Sequence, residues 1–284
     1  MSAAASRQRC LPAETSKSAV PEGHTLHRLA RIHHRKFAGR QVAVSSPQGR
    51  FSSGAGRVDG QTFVRAEAWG KHLIHRYGNG EIVHVHLGLY GAFSEGEAPL
   101  PEPVGQVRMR MESQVYGTDL RGPTACELYT PDDLTALTAR LGPDPLRKDS
   151  DPDLAWAAIT RSRKAIGALL MDQKVLCGVG NVYRAEVLFR AAINPHRPGT
   201  GIVRPEWDAL WADLVALMAI GVRRGKMHVV RPDDDHGAPA YGPGRPRTYV
   251  YRRTGEPCRI CGTPILMGEM VARKVYWCPV CQAD

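Results

Sequence analysis

Four cysteines near the end of this chain, Cys258, Cys261, Cys278 and Cys281, constrain its folding more than any other feature. They form two C-x2-C pairs separated by sixteen residues, the spacing of two knuckles that close a tetrahedral four-thiolate zinc site. A closed site of this kind leaves no open coordination position, so one structural zinc is expected. Between the knuckles, Ile265-Leu266-Met267 and Val275-Tyr276-Trp277 flank a turn expected near Gly268, giving a β-hairpin too short to fold without its metal. Arg273 falls near the tip, where by itself it reads as a solvated charge, the default for a single arginine. The scattered Cys10, Cys126 and Cys177 suit a reducing cytosol better than a disulfide framework.

The 284 residues, 43% apolar, suffice for two domains with a sizeable core. No apolar run is long enough to span a membrane. The formal net charge of +10 favours a polyanionic partner, nucleic acid first. From His24 to Phe37 the pattern is helical, with Leu26, Leu29, Ala30, His33 and Phe37 on one face. Alternation then predicts short antiparallel strands around Val42 and Val44, Lys71 to Tyr77, Val83 to Leu87 and Val107 to Met111, joined by glycine-rich turns, as in a β-sandwich. His84 and His86 share one face of a strand and are expected to be exposed rather than metal-bound. Lys71, after Gly70, reads as an edge-strand lysine or as a functional one.

After Pro145 the pattern turns helical, over 155–160, 164–174 and 182–192, with a longer helix opening at Pro205. Residues 230–247 read as loop. The turn Gly178-Val179-Gly180-Asn181 opens a helix with free backbone N–H groups able to receive a phosphate, although tight turns between helices use the same residues.

Val20-Pro21-Glu22-Gly23 precedes the first helix. A proline at a true amino terminus is a secondary amine of pKa about 8, against about 10.4 for lysine, and can attack a sugar aldehyde to form a Schiff base. Inside a chain its nitrogen is an amide with no lone pair to offer. The small, polar composition of residues 1–20 reads as a disordered extension absent from the active protein, with Val20 read as a GTG start in a GC-rich bacterial genome. A genuine tail with Pro21 merely opening a helix is the alternative.

PEGHTLHRLA, GKHL at 70–73, HLGLYG at 86–91, RLGPDPL at 140–146, LMDQKVLCGVGNVYRAEVLFRAAINP at 170–195 and the closing cysteine module resemble the formamidopyrimidine-DNA glycosylase and endonuclease VIII family from Pro21 to Gln282. The resemblance implies an α+β protein: an N-terminal β-sandwich with its leading helix over 21–145, a helix-two-turn-helix domain over 146–235 and a zinc-finger hairpin over 236–284. It implies a bifunctional DNA glycosylase and abasic-site lyase that flips a damaged base out of duplex DNA. By motif, Pro21 would attack C1′, Glu22 handle the sugar-ring proton, Lys71 contact phosphate and assist β-elimination, and Arg273 bind phosphates and assist δ-elimination. Asn181 and Arg140 would grip the backbone without reading sequence.

Leu89 and Tyr90 resemble the endonuclease VIII wedge that fills the hole left by the base, whereas the Arg-Arg-Phe-Gly run of the other branch has no counterpart in Thr118-Asp119-Leu120-Arg121-Gly122. Oxidised pyrimidines are therefore expected ahead of oxidised purines, although Gly88 stands where endonuclease VIII has Gln. The expected setting is a monomer in the bacterial cytoplasm, associated with the nucleoid, with damaged double-stranded DNA as partner. A non-catalytic DNA-binding protein on the same scaffold is the principal alternative. A zinc-ribbon RNA or ribosome-associated factor explains the charge and the cysteines but leaves PEG, GKHL and GVGN without a role.

Overall fold

The computed structural model describes residues 21–237 and 247–283. The expected 1–20 extension, with Cys10, and much of the 230–247 loop lie outside the described residues. Helix α1 (Gly23–Phe37) begins directly after Glu22 and buries Leu26, Ala30, His33 and Phe37, the stripe expected from its sequence. Two four-stranded antiparallel sheets follow. One orders β1 (Ala43–Ser45), β6 (Val107–Glu112), β7 (Tyr116–Arg121) and β5 (Ala92–Glu97) side by side; the other orders β2 (Phe63–Trp69), β3 (His72–Tyr77), β4 (Ile82–His86) and β8 (Ala125–Tyr129). Apolar residues from both sheets and from α1 merge in one core that includes Phe37, Phe63, Leu73, Val85, Met109 and Leu120, which makes the pair a sandwich. Periodicity did not pick out two further helices, α2 (Ser52–Val58) and α3 (Pro131–Ala139). α3 starts on a Thr130–Asp133 capping box and covers the outer face of the second sheet through Leu134 and Leu137.

The helical part comprises α4 (Pro152–Thr160), α5 (Ile166–Leu169), α6 (Asn181–Arg190) and α7 (Arg204–Arg224). The helix expected over 164–174 shrinks to the four residues of α5. Side chains beyond it compete for backbone groups: Lys174 N–H donates to Asp172 and Gly178 N–H to Gln173, which bends the chain into turns. The core of this part, built on Trp207, Tyr183, Leu210 and Leu188, continues without a break to Cys258, Ile265, Tyr276 and Cys278 of the terminal hairpin. That hairpin pairs β9 (Leu266–Met270) with β10 (Arg273–Trp277). Its turn is not at Gly268, which lies inside β9 opposite Val275, but at Val271 and Ala272, each with φ of 52°. Both central residues of a tight hairpin turn of this hand need positive φ, and here two non-glycine residues supply it.

Candidate active site at the junction of the two halves

The backbones of three distant segments meet where the sandwich joins the helices. Gly23 N–H donates to the Gly178 carbonyl at 2.8 Å. A Cβ on Gly23 would lie 2.8 Å from Gly178 Cα, and one on Gly178 would lie 3.4 Å from Gly70 Cα. A side chain at Gly23 would collide with this backbone, and Gly178 has a φ of 86°, which side chains rarely adopt. Gly70 also takes the first position of the two-residue turn between β2 and β3, at a φ of 56°. Lys71 is the second residue of that turn, so it is not an edge-strand lysine; β3 itself lies inside its sheet.

Glu22 crosses the junction with its side chain. Its carboxylate accepts from Val182 N–H at 2.8 Å, Gly180 N–H at 3.0 Å and Tyr183 N–H at 3.4 Å, all at the N-terminal end of α6. The helix therefore uses its free donors on a carboxylate from the other half of the molecule. Glu22 is 1% exposed. Burial pushes its carboxyl above the ordinary 4.5, while the Lys71 charge and the three backbone donors oppose that rise. Lys71 is shifted the other way: burial and the Arg273 charge lower its ammonium below the ordinary lysine value, against the pull of Glu22. Pro21, Lys71, His86 and Gly88 line a small cavity of about 20 Å³.

Asn181 and Arg273 come close to this centre from the far side. Asn181 Nδ2 donates to the Lys274 carbonyl at 3.1 Å, and Arg184 Nη2 donates to the same carbonyl at 2.8 Å and to Asn181 Oδ1. The tip that carries Arg273 is thereby tied to the first turn of α6. Leu89 and Tyr90, 40% and 84% exposed, stand on the connection after β4. Gly88 has a φ of 68°, and a Cβ there would fall 1.9 Å from Thr124 Oγ1, so Thr124 and the backbone together exclude a longer residue. Arg140 ends α3 on the outer face of the second sheet, and its side chain has no hydrogen-bond or ion-pair partner among the described residues. His84 departs from expectation: it is 3% exposed, packed under Tyr129 with ring centroids 4.3 Å apart.

Sequence reasoning passed over several residues that hold the junction. Asp144, 1% exposed, accepts from His27 Nε2 at 2.7 Å and from Gly70 N–H at 2.8 Å. Arg184 and Glu186 are fully buried on α6, and the Glu186 carboxylate receives the N–H groups of Tyr249, Val250 and Tyr251. A signal existed for the last two, since charges inside an otherwise apolar helix face demand partners.

The four cysteine sulfurs lie within 4.8 Å of one another, with Cys258 to Cys281 at 3.8 Å and Cys261 to Cys278 at 3.5 Å. Sulfurs bound tetrahedrally at about 2.3 Å from zinc stand about 3.8 Å apart, so the cluster fits one structural zinc. Among the described residues it is the one group of three or more candidate ligands gathered this closely.

Three family models match the chain in order. They are the formamidopyrimidine-DNA glycosylase N-terminal domain over residues 20–126, the formamidopyrimidine-DNA glycosylase H2TH domain over 141–232 and the zinc finger found in FPG and IleRS over 255–283. A protein of Mycobacterium tuberculosis (strain ATCC 25618 / H37Rv) called Endonuclease 8 1 is 62% identical over 93% of this chain and 100% of its own length. A formamidopyrimidine-DNA glycosylase of Exiguobacterium sp. is 31% identical over 78% of this chain and 82% of its own. Among solved structures, the Lactococcus lactis Fpg in complex with DNA containing an abasic site superimposes with a TM-score of 0.76 at 21% identity, covering 93% of this chain and 100% of that one, a likeness of fold.

Proposed function

The chain belongs to the formamidopyrimidine-DNA glycosylase and endonuclease VIII family, and from that premise we propose that Pro21, as a free amino terminus, is the nucleophile with which it excises oxidised pyrimidines from duplex DNA. The enzyme is a DNA glycosylase with abasic-site lyase activity in base excision repair. The observation that carries the assignment of Pro21 is its place beside Lys71 on one cavity, next to a buried carboxylate, Glu22, clamped by a helix terminus.

In this reading the Pro21 amine adds to C1′ of the damaged nucleoside. The bond from C1′ to the base breaks, the base leaves with the bonding pair and takes the proton that the amine gives up, and Glu22, protonated, supplies the proton that opens the sugar ring. The imine so formed acidifies C2′. Lys71, whose ammonium burial shifts below the ordinary lysine value, takes the C2′ proton as the 3′ phosphate leaves. Arg273, on the hairpin tip, and Asn181, at the start of α6, bind the phosphates on either side, with Arg273 assisting the second elimination. Arg140 reaches the backbone further out. Leu89 and Tyr90 enter the space vacated by the base, and their exposure together with the 62% identity to an endonuclease 8 favours pyrimidines. Residues 21–145, 146–235 and 236–284 serve as catalytic, helical and zinc-hairpin units of a monomer that acts on DNA in the cytoplasm.

The test compares two preparations verified by mass, one retaining all 284 residues and one starting at Pro21, on duplex DNA carrying an oxidised pyrimidine. Borohydride should trap only the second. Equal trapping by both would refute Pro21 and turn attention to Lys71.

A further inference from the structure

We propose that His72, His84 and Glu127 form a line that conducts protons between the cavity around Pro21 and Lys71 and bulk solvent. The strand register brings them onto one face. His72 pairs directly with His86 across β3 and β4, and His84, two residues from His86 and so on the same side, pairs with Glu127 across β4 and β8. His86 lines the cavity together with Pro21 and Lys71. Its ring lies 4.9 Å from that of His72, centroid to centroid. His72 Nδ1 is 2.9 Å from His84 Nε2, and His84 Nδ1 is 3.2 Å from Glu127 Oε1. The Glu127 side chain is 55% exposed, so the line ends in water.

The direction of every hydrogen bond follows from that last carboxylate. An ionised carboxylate only accepts, so His84 Nδ1 carries the hydrogen. A neutral imidazole has one donor and one acceptor nitrogen, which leaves His84 Nε2 to accept from His72 Nδ1–H. His72 Nε2 is then a bare acceptor on the residue that follows Lys71. The groups facing the line favour uncharged rings: Arg140 at the end of α3, Lys71, His86 and the stacked Tyr129 surround it, and burial followed by the neighbouring histidines and cations lowers His72 to about 3.

The line rests on the reading of Pro21 as nucleophile and serves the step after imine formation. The proton that Lys71 takes from C2′ has to leave before the next turnover. Delivered to His72 Nε2 from the cavity that His86 lines, it releases the hydrogen on Nδ1 to His84 Nε2, which in turn releases its own Nδ1 hydrogen to Glu127 and so to water. Each of the two rings gains one N–H bond and loses another, and the proton consumed when amine and aldehyde form the next iminium, with loss of water, flows in the opposite sense and restores the starting tautomers. His72, His84 and Glu127 are thus positioning residues for proton transfer and touch no substrate.

The experiment uses protein beginning at Pro21 on abasic-site DNA, with two readouts: the rate of borohydride trapping and the multiple-turnover rate of strand scission across about pH 6 to pH 9. His84→Phe keeps a ring against Tyr129 and cannot relay a proton. It should trap at the unsubstituted rate and cleave roughly tenfold more slowly, and imidazole in the buffer should restore scission to His84→Gly. Glu127→Gln, at a surface position that does not threaten the fold, should move the pH profile of scission without changing trapping. Normal trapping together with unimpaired scission and an unmoved profile in both variants would overturn the proton line alone. Absence of trapping in the unsubstituted protein would overturn the Pro21 reading and the line with it.

Discussion

Glu22 shows how much one side chain is asked to do. It caps the N-terminal donors of α6 and, in the proposed reaction, gives a proton to the sugar. Gly180 is the residue that leaves room for it, because a Cβ there would sit 2.4 Å from the Glu22 carboxyl carbon. Gly180→Ala should therefore displace the carboxylate, cost on the order of 1–3 kcal/mol of stability and abolish excision of an intact lesion; an excision assay beside a denaturant titration checks both. In the proposed reaction Glu22 acts in its protonated form, and burial raises its pKa above 4.5. Excision should accordingly fall as pH rises through that raised value, whereas scission of a pre-formed abasic site, which does not need this proton, should lack that limb. A shared limb in the two profiles would remove Glu22 from the acid role. Short motifs single out Pro21, Glu22 and Lys71 as candidates, and the fold sets Pro21 and Lys71 on one cavity. Asp144 was not legible in the sequence, since its value lies in contacts with His27 and Gly70 that no local pattern announces.

At the scale of elements, alternation located the strands and the cysteine spacing located the hairpin, but the turn moved from Gly268 to Val271 and Ala272. Glycine is a good marker of turns only where side chains do not decide the register; here the pairing of Trp277 with Leu266 sets it and leaves Gly268 within reach of the Trp277 ring. His84 was misjudged for a related reason: α3, whose signal is a capping box rather than a strong apolar stripe, adds a layer over a face that looks solvent-exposed in a strand read alone. The hairpin has little apolar surface of its own, so zinc supplies much of its folding free energy. Cys258→Ser, or chelation, should release the metal and weaken duplex binding by at least tenfold, an order-of-magnitude expectation from the loss of charged contacts; retained zinc and retained affinity in that variant would contradict the site. Arg273→Ala should keep metal and fold yet lose binding and strand cleavage, which circular dichroism and a binding isotherm separate.

For the whole molecule, stability and function converge on the joint between the two cores. His24, 5% exposed, packs edge-on against Tyr183 of α6, and burial lowers it from 6.5 to about 4. Its folded pKa lies below the unfolded one, so the stability it contributes is complete above pH 6.5 and drains away as pH falls toward 4, by roughly 3 kcal/mol at about 1.4 kcal/mol per unit. Urea midpoints should thus drop between neutrality and pH 5, and His24→Phe should flatten that slope. The meeting of Gly23, Gly70 and Gly178 has a different consequence, one that belongs to inheritance. Every missense change at a glycine codon adds a side chain; at Gly23 and Gly70 the first added carbon falls within 3.0 Å of another segment, and Gly70 and Gly178 hold positive φ that side chains rarely adopt. Three points far apart in the gene are therefore bound to one physical spot that admits no gradual drift, and a saturation scan for repair of oxidised DNA should find all three columns empty.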